Sequence, residues 1–206
     1  MRVRPPAGAL GAASYDVSMF LPPLIIESDK VVARPPTEAD SAALFRNLFA
    51  DEDVMRWLAF PRHRDEAETL AAIQRYRRNW HLGTGFAWVV QGKDNGDISG
   101  VIELQPYMPR VEIGVISASS PAVRRRSAGL HVLRKLVDWI ADHPDVHRVH
   151  AFCAPEGRAA SAMERLGFRL EARLENWEIR PNGGEGPRVG DSLLYAMTRR
   201  EGAPRA

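Results

Sequence analysis

The sequence is poor in everything that would tie it to an oxidising compartment, a membrane or a polyanion. It holds one cysteine, Cys153, in 206 residues, so no internal disulfide can form and a reducing compartment fits. It has no apolar run of membrane-spanning length. It has no surplus of one charge: 28 basic residues against 26 acidic ones leave a formal net charge of +2, too even for a general nucleic-acid footprint. What remains is an ordinary globular composition, 45% apolar and 26% charged, long enough for one α/β domain with a substantial core. A cytoplasmic location is the expectation.

The first residues, MRVRPPAGALGAASYDVSMF, open on two arginines, but Pro5, Pro6, the glycines and Asp16 interrupt any secretory core. Residues 1–26 read as a disordered lead-in, with Met1 and Met19 both open as the start. Residues 27–200 read as one domain and 201–206 as a frayed tail.

Turn chemistry and periodicity divide the domain. Val31 to Arg34 is a short strand stopped by Pro35-Pro36, and Thr37-Glu38-Ala39-Asp40 is a helix start. Leu44, Phe45, Leu48 and Phe49 then recur at helical spacing. Further helices run from about Glu52 to Leu58 and from near Asp65, the latter with Leu70, Ile73, Tyr76 and Trp80 on one side. Strands follow at 86–90, 99–104 and 111–116, antiparallel neighbours joined by turns at 93–97 and 105–109. A helix over Ala128 to Asp142 carries Leu130, Leu133, Val137 and Ile140 on one stripe and ends at His143-Pro144. A strand at 146–154, a helix at 159–166 closed by Gly167, and strands at about 169–179 and 192–197 complete the order. The helix from Ala128 connects strands expected to be parallel, by a right-handed crossover. The fold class is a mixed-sheet α/β domain without internal repeats.

The chemistry-bearing stretch is Arg124-Arg125-Arg126-Ser127-Ala128-Gly129, between a strand and a helix start. Free N–H groups at a helix start and the helix dipole favour an anion, small residues let it approach, and arginines bond it. Without an anion, arginines there would oppose the dipole. The loop lacks the Gly-Lys-Ser/Thr ending of a P-loop and the glycines of a dinucleotide fingerprint.

This loop resembles the acyl-CoA pyrophosphate loop of the GNAT N-acetyltransferases, Arg/Gln-x-x-Gly-x-Gly/Ala before an amphipathic helix. Arg124, Ser127 and Gly129 fall on its fixed positions, with Ser127 replacing the first glycine. Val111-Glu112-Ile113-Gly114 is similar to the family's strand before the loop, and Met163 to Phe168 to its Glu-Lys-Leu-Gly-Phe ending. Val31 to Pro35, Val54-Met55 with Trp57-Leu58, and Trp177, Pro181-Asn182, Pro187, Asp191 and Tyr195-Ala196 resemble the RimJ/RimL-type branch. Two departures stand out. The branch's Asn-x-x-Ser is met either by Glu156 and Ala159 or, with a one-residue deletion, by Gly157 and Ser161. Met163 stands where many relatives carry the tyrosine that reprotonates the CoA thiolate, leaving Ser161 or a water for that role.

The resemblance implies a mostly antiparallel, twisted sheet, splayed between the fourth and fifth strands counted from Val31 and flanked by helices. It implies acetyl-CoA as co-substrate, no metal, and cofactor contacts from Ile116, Ser117, Arg124, Arg125, Arg126, Ser127, Ala128 and Gly129. Main-chain N–H groups of Ile113 to Ser117 would face the acetyl carbonyl and pantetheine. Glu112 is the first reading for the general base and Glu103, on the neighbouring strand, the second. The competing reading of Glu112 is a carboxylate that orders the sheet. Trp177 and Tyr195 are read as lining the acceptor site, or else as sheet and core packing.

His143, His147, His150 and Cys153 are spaced like metal ligands, but residues three apart on a strand point to opposite faces and Pro144 forbids one helix. Cys153 has no paired base and reads as a core residue. The leading function is acetyl transfer from acetyl-CoA to a primary amine, a protein N-terminus or a small molecule. The alternative is a non-catalytic acyl-CoA-binding module, and a nucleic-acid binder using the arginine run is the third. No membrane or nucleic-acid partner is expected, and a homodimer is the assembly common in the branch.

Overall fold

The computed structural model describes residues 20–121, 126–183 and 186–198. The expectations for residues 1–19, for Arg124 and Arg125, and for the C-terminal tail lie outside them. Eight strands form one sheet: β1 (Ile26–Glu27), β2 (Val31–Arg34), β3 (Phe86–Gly92), β4 (Ile98–Tyr107), β5 (Arg110–Ser117), β6 (Arg148–Cys153), β7 (Arg169–Arg180) and β8 (Arg188–Thr198). Their spatial order is β1-β2-β3-β4-β5-β6-β8-β7, and every neighbouring pair is antiparallel except β5 with β6. The helices are α1 (Ser41–Leu44), α2 (Glu52–Met55), α3 (Glu66–Leu82), α4 (Arg126–Asp142) and α5 (Ala160–Arg165).

Strand alternation sorts the core into two layers. Phe86, Trp88 and Val90 of β3, with Ile102, Leu104, Val111 and Ile113, pack under Val132, Leu136, Val137 and Ile140 of α4. Val89, Val101 and Ile116 turn to the other face, under Leu44, Leu48, Phe49 and Ile73. Ala87, also on that face, meets Ala72 and Tyr76 of α3. Asp65 caps α3 by accepting from the Glu68 amide at 3.0 Å, and Gly83, at φ 67°, ends it.

Four expectations change. The helix containing Leu44 and Phe49 is not one cylinder: a 3₁₀ turn (Glu38–Asp40) leads α1, and a π turn (Phe45–Phe49) follows it. The π turn's wider pitch buries Leu48 and Phe49 and leaves Phe45 half-buried. The lead-in does not extend to residue 26: Phe20 is buried between Phe86, Trp139 and His143, and the Trp88 Nε1 donates to the Pro23 carbonyl at 3.1 Å. Arg126 and Ser127 belong to α4, which starts two residues before Ala128. Finally, β8 begins at Arg188, four residues before Ser192, because its first residues pair with the end of β7.

β5 is paired with β4 along its whole length, from Arg110 to Ser117, but its ladder with β6 has only three pairs, ending at Glu112 and His150. Ile113 to Ser117 have no strand partner on that side among the described residues. The expected splay therefore lies between β5 and β6, the fourth and fifth strands counted from Val31. β5 approaches β4 closely at its far end: a Cβ on Gly100 would lie 2.8 Å from the Ile116 carbonyl oxygen. The atom met is a backbone carbonyl, so no rotamer change can relieve the contact. Gly100→Ala is expected to lower the unfolding free energy by about 1–3 kcal/mol, read as a lower urea midpoint.

Candidate active site

The site is built on the sheet face that carries α3. Glu103 on β4 sits opposite Ala87 on one side and Gly114 on the other. Glu112 sits opposite Gln105 on β4 and beside His150 on β6. Residues two apart on a strand share a face, so Glu103, Gln105, Glu112, Gly114 and His150 all point the same way. The two carboxylates read from the sequence are thus brought together, beside the point where β5 and β6 part.

Glu103 lines a cleft of about 740 Å³. One wall is the α3 stripe of Glu68, Ala72, Arg75, Tyr76 and Asn79, and the other is the loop of Phe60, Pro61, Arg62 and His63. The Tyr76 hydroxyl donates to the Glu103 Oε1 at 2.5 Å. Burial raises the Glu103 pKa; Tyr76 and Arg75 partly counter it and the nearby Glu112 charge adds to it, and the net is above the ordinary range. Burial and Glu103 hold the Tyr76 hydroxyl well above its usual value, so it stays the donor. His63 stacks against Phe49 with ring centroids 4.6 Å apart and its Nδ1 lies 2.8 Å from the Thr69 Oγ1. Burial lowers its pKa, which keeps the imidazole neutral near pH 7.

Glu112 lies 3.6 Å from the Nε2 of His150, itself 6% exposed. The His150 Nδ1 is buried without a partner among the described residues. With the proton on Nε2 the N–H would face Glu112, beyond hydrogen-bond length at 3.6 Å, and Nδ1 would be an acceptor without a partner among the described residues. Beyond His150, Phe152 follows on the same face, and Trp177 stacks on it at 5.5 Å. A register shift between Leu174 and Glu178, with Asn176 at φ 51°, breaks the β7–β8 ladder just before Trp177. Trp177 extends the aromatic wall from Glu112, though it is outside the cleft that Glu103 lines.

Of the two readings of Tyr195, the acceptor-site one is corrected and core packing holds. It pairs with Ala151, belongs to the core under α4, and its hydroxyl donates to the Glu164 Oε1 at 3.2 Å. It faces away from both carboxylates and cannot wall the same pocket. Ser161 lies exposed on α5, while Met163 is buried in the core. The Cys153 thiol is buried and its pKa is pushed up to about 11, which disfavours a thiolate. Among the described residues no group of three or more His, Cys, Asp or Glu could hold a metal.

For the cofactor positions, Ile116 buries its side chain in the α3-side layer, so only its main chain reaches the gap, whereas Ser117 is exposed. The α4 N-terminus follows, with Ala128 buried and Gly129 open: a Cβ on Gly129 would meet nothing within 4 Å. The free N–H groups of that first turn, beside an uncovered glycine, fit a phosphate group.

Two residues to which sequence reasoning gave no site role hold the site's borders. Asn182, at the β7–β8 turn, donates from Nδ2 to the carbonyls of Met55 and Phe60, both at 2.8 Å, and accepts at 2.7 Å from the Arg62 amide. Arg180 is 1% exposed; it pairs with Glu178 at 3.0 Å and Glu156 at 3.4 Å and donates to the Asp191 carbonyl. A Cβ on Gly190 would lie 2.8 Å from its Nη1. Only the Pro181-Asn182 pair left a signal in the sequence.

Residues 30–169 match the acetyltransferase (GNAT) domain family, and the chain belongs to it. It is 22% identical to the uncharacterized N-acetyltransferase YoaA of Bacillus subtilis over 157 residues, 74% of this chain and 87% of YoaA. Its fold is that of RimL, an alpha-N-protein acetyltransferase solved with coenzyme A (TM-score 0.71, 18% identity, 84% and 97% of the two chains). It is also that of the ribosomal-protein-S5-alanine acetyltransferase of Vibrio fischeri (TM-score 0.73, 15% identity, 88% and 100%). The microcin C7 self-immunity acetyltransferase MccE, solved with acetyl-CoA and AMP, is similar too (TM-score 0.71, 15% identity, 84% and 94%).

Asn182→Ala leaves two carbonyls and one amide without their partner. It is expected to cost about 1–3 kcal/mol and to speed amide hydrogen exchange across residues 55–63, without the same change in α4.

Proposed function

We propose that this acetyltransferase moves the acetyl group of acetyl-CoA to a primary amine bound in the cleft between α3 and β4, with Glu103 as proton acceptor. The observation that carries the reading is Glu103 itself. It is a half-buried carboxyl with a raised pKa, it floors the cleft, and it lies opposite Gly114 where the β5 edge opens. Glu112 lines no part of that cleft and has His150 for a partner. In this reading Glu112 sets the field around the base.

An amine arrives as an ammonium ion. Glu103 takes one of its protons and passes it to solvent. The neutral nitrogen attacks the thioester carbonyl, whose oxygen is polarised by main-chain N–H groups of the β5 edge. The C–S bond breaks, the C–N bond remains, and the second proton lost from nitrogen neutralises the CoA thiolate through Ser161 or solvent. The pantetheine arm lies along Ile113 to Ser117 as a further strand would. The pyrophosphate rests on the first turn of α4, and the family resemblance of the preceding loop supports Arg124, Arg125 and Arg126 as its cationic partners. The RimJ/RimL resemblance supports an amino-terminal or small-molecule amine acceptor.

Two variants test this. Glu103→Gln is expected to lower kcat by about 10²–10⁴-fold while leaving the acetyl-CoA Kd, measured calorimetrically, unchanged. In the wild type the rate rises with pH through a value above the usual 4.5 of a glutamate, because only the deprotonated carboxyl accepts a proton. That limb disappears in the variant, and the limb that persists belongs to the acceptor amine. Acetyl-CoA binding without thiol release for any amine would refute the transfer reading. Gly129→Ala separates fold from function at the other end. In open space it gains up to about 1 kcal/mol of helix propensity, yet its methyl group intrudes where the phosphate would rest. A higher Tm with weaker acetyl-CoA binding is the expected pair of results.

A further inference from the structure

The cleft between α3 and β4 is charged at both ends. Its floor carries Glu103, and its walls carry the arginines Arg62, Arg64 and Arg75. Two of the three arginines are committed elsewhere: Arg62 pairs with Glu52, and Arg64 with Glu68 at 2.6 Å. Arg75 forms no ion pair among the described residues, and its guanidinium centre lies 5.7 Å from the Tyr76 ring centroid. Glu68, Arg75 and Asn79 lie on the cleft-facing stripe of α3, so Arg75 is presented to the cleft and not to bulk solvent alone.

A guanidinium without an ion-pair partner among the described residues, its charge acting on Tyr76 and Glu103, is out of place in a site for a simple alkylamine. Such an acceptor arrives as a cation, and a second cation beside Glu103 repels it and competes for the carboxylate. The arrangement makes sense for a ligand with charges of both signs. We infer that the acceptor is a primary amine that also bears an oxyanion, a carboxylate or a phosphate, with its nitrogen toward Glu103 and its anion on Arg75. The inference rests on reading the cleft as the acceptor site. Its volume, about 740 Å³, suits a small molecule of this kind. The planar fork of arginine holds either oxyanion through two parallel bonds, and the apolar surfaces of Phe49, Phe60 and Ala72 pack the atoms between the two charges.

The test uses matched pairs that differ only in the anion: γ-aminobutyrate against butylamine, and O-phosphoethanolamine against ethanolamine. Binding to the full chain saturated with a non-transferable acetyl-CoA analogue is measured by calorimetry, and thiol release from acetyl-CoA by a separate assay. The wild type is expected to bind the anionic member of at least one pair about tenfold or more tightly, one charge-assisted bond's worth. The pair that shows it distinguishes carboxylate from phosphate. Arg75→Gln, an exposed position on α3, is expected to bring the ratio to within about twofold, one bond's worth being lost, and Arg75→Lys to retain part of it. Equal binding within both pairs, a preference that survives Arg75→Gln, or no saturable binding of any probe would each overturn the inference. Preferential binding lost in Arg75→Gln, with no thiol release from any amine, would sustain the anion site and defeat the transferase reading.

Discussion

The β5–β6 ladder, three residue pairs long, is the constraint on which the site depends. A sheet normally satisfies its main-chain donors and acceptors strand against strand, and an open edge inside a sheet has to be met by something else. Here β6 leaves β5 after His150 and continues on β8, where it is paired from Arg148 through Cys153. The edge of Ile113 to Ser117 is left facing a wedge, with the α4 N-terminus at its outer end. A co-substrate that offers amide groups along a chain and phosphates at one end is the chemical complement of those two features. The same departure of β6 places Glu112 and His150 at the inner end of the wedge. The opening and the carboxylate pair therefore come from one break in pairing.

The carboxylates divide their work through environment. Both lie on one sheet face, but Glu103 is enclosed by α3 and Glu112 is partly open beside His150. Enclosure disfavours the charged form of Glu103, and the neighbouring charge of Glu112 adds to the effect. Tyr76 pulls the other way by bonding the carboxylate, and burial wins. A carboxyl raised above the ordinary glutamate range holds its proton more firmly than a free glutamate does. Truncating Glu112 would therefore act on Glu103 as well as on the sheet.

Much of this was legible in the sequence because periodicity and turn chemistry report local structure. The strands from Phe86 onward, the α4 stripe of Leu133, Val137 and Ile140, and the stop at Gly167 lie where those rules put them. The arginine loop, Glu103 and Glu112 stood out in the sequence because residues of their kind at that spacing suit a specific task. The parts that stayed hidden depend on distant partners. Alternation cannot tell which face of the sheet receives α3 and which receives α4, so the sequence left Tyr195 open between an acceptor wall and core packing. Two-residue β1 is too short to leave a period, and it exists because Ile26 finds Ala33. Arg180 reads as an ordinary surface charge in sequence, although its burial depends on Glu156 and Glu178, 24 and two residues away.

That buried arginine bears on how the site keeps its shape. A guanidinium removed from water is costly, and apolar packing of similar volume is often as stable. Its return is direction: Arg180 bonds the segment after β6 through Glu156, its own strand through Glu178, and β8 through the Asp191 carbonyl. Gly190 supplies the space the side chain needs. Two residues further along, Asn182 bonds the loop after α2. The β7–β8 hairpin thereby ties together one border of the wedge and one wall of the cleft. Apolar contacts would hold these loops near one another, but they would not fix their register. Acetyl transfer depends on placement at the scale of an ångström, and hydrogen bonds to named carbonyls provide it.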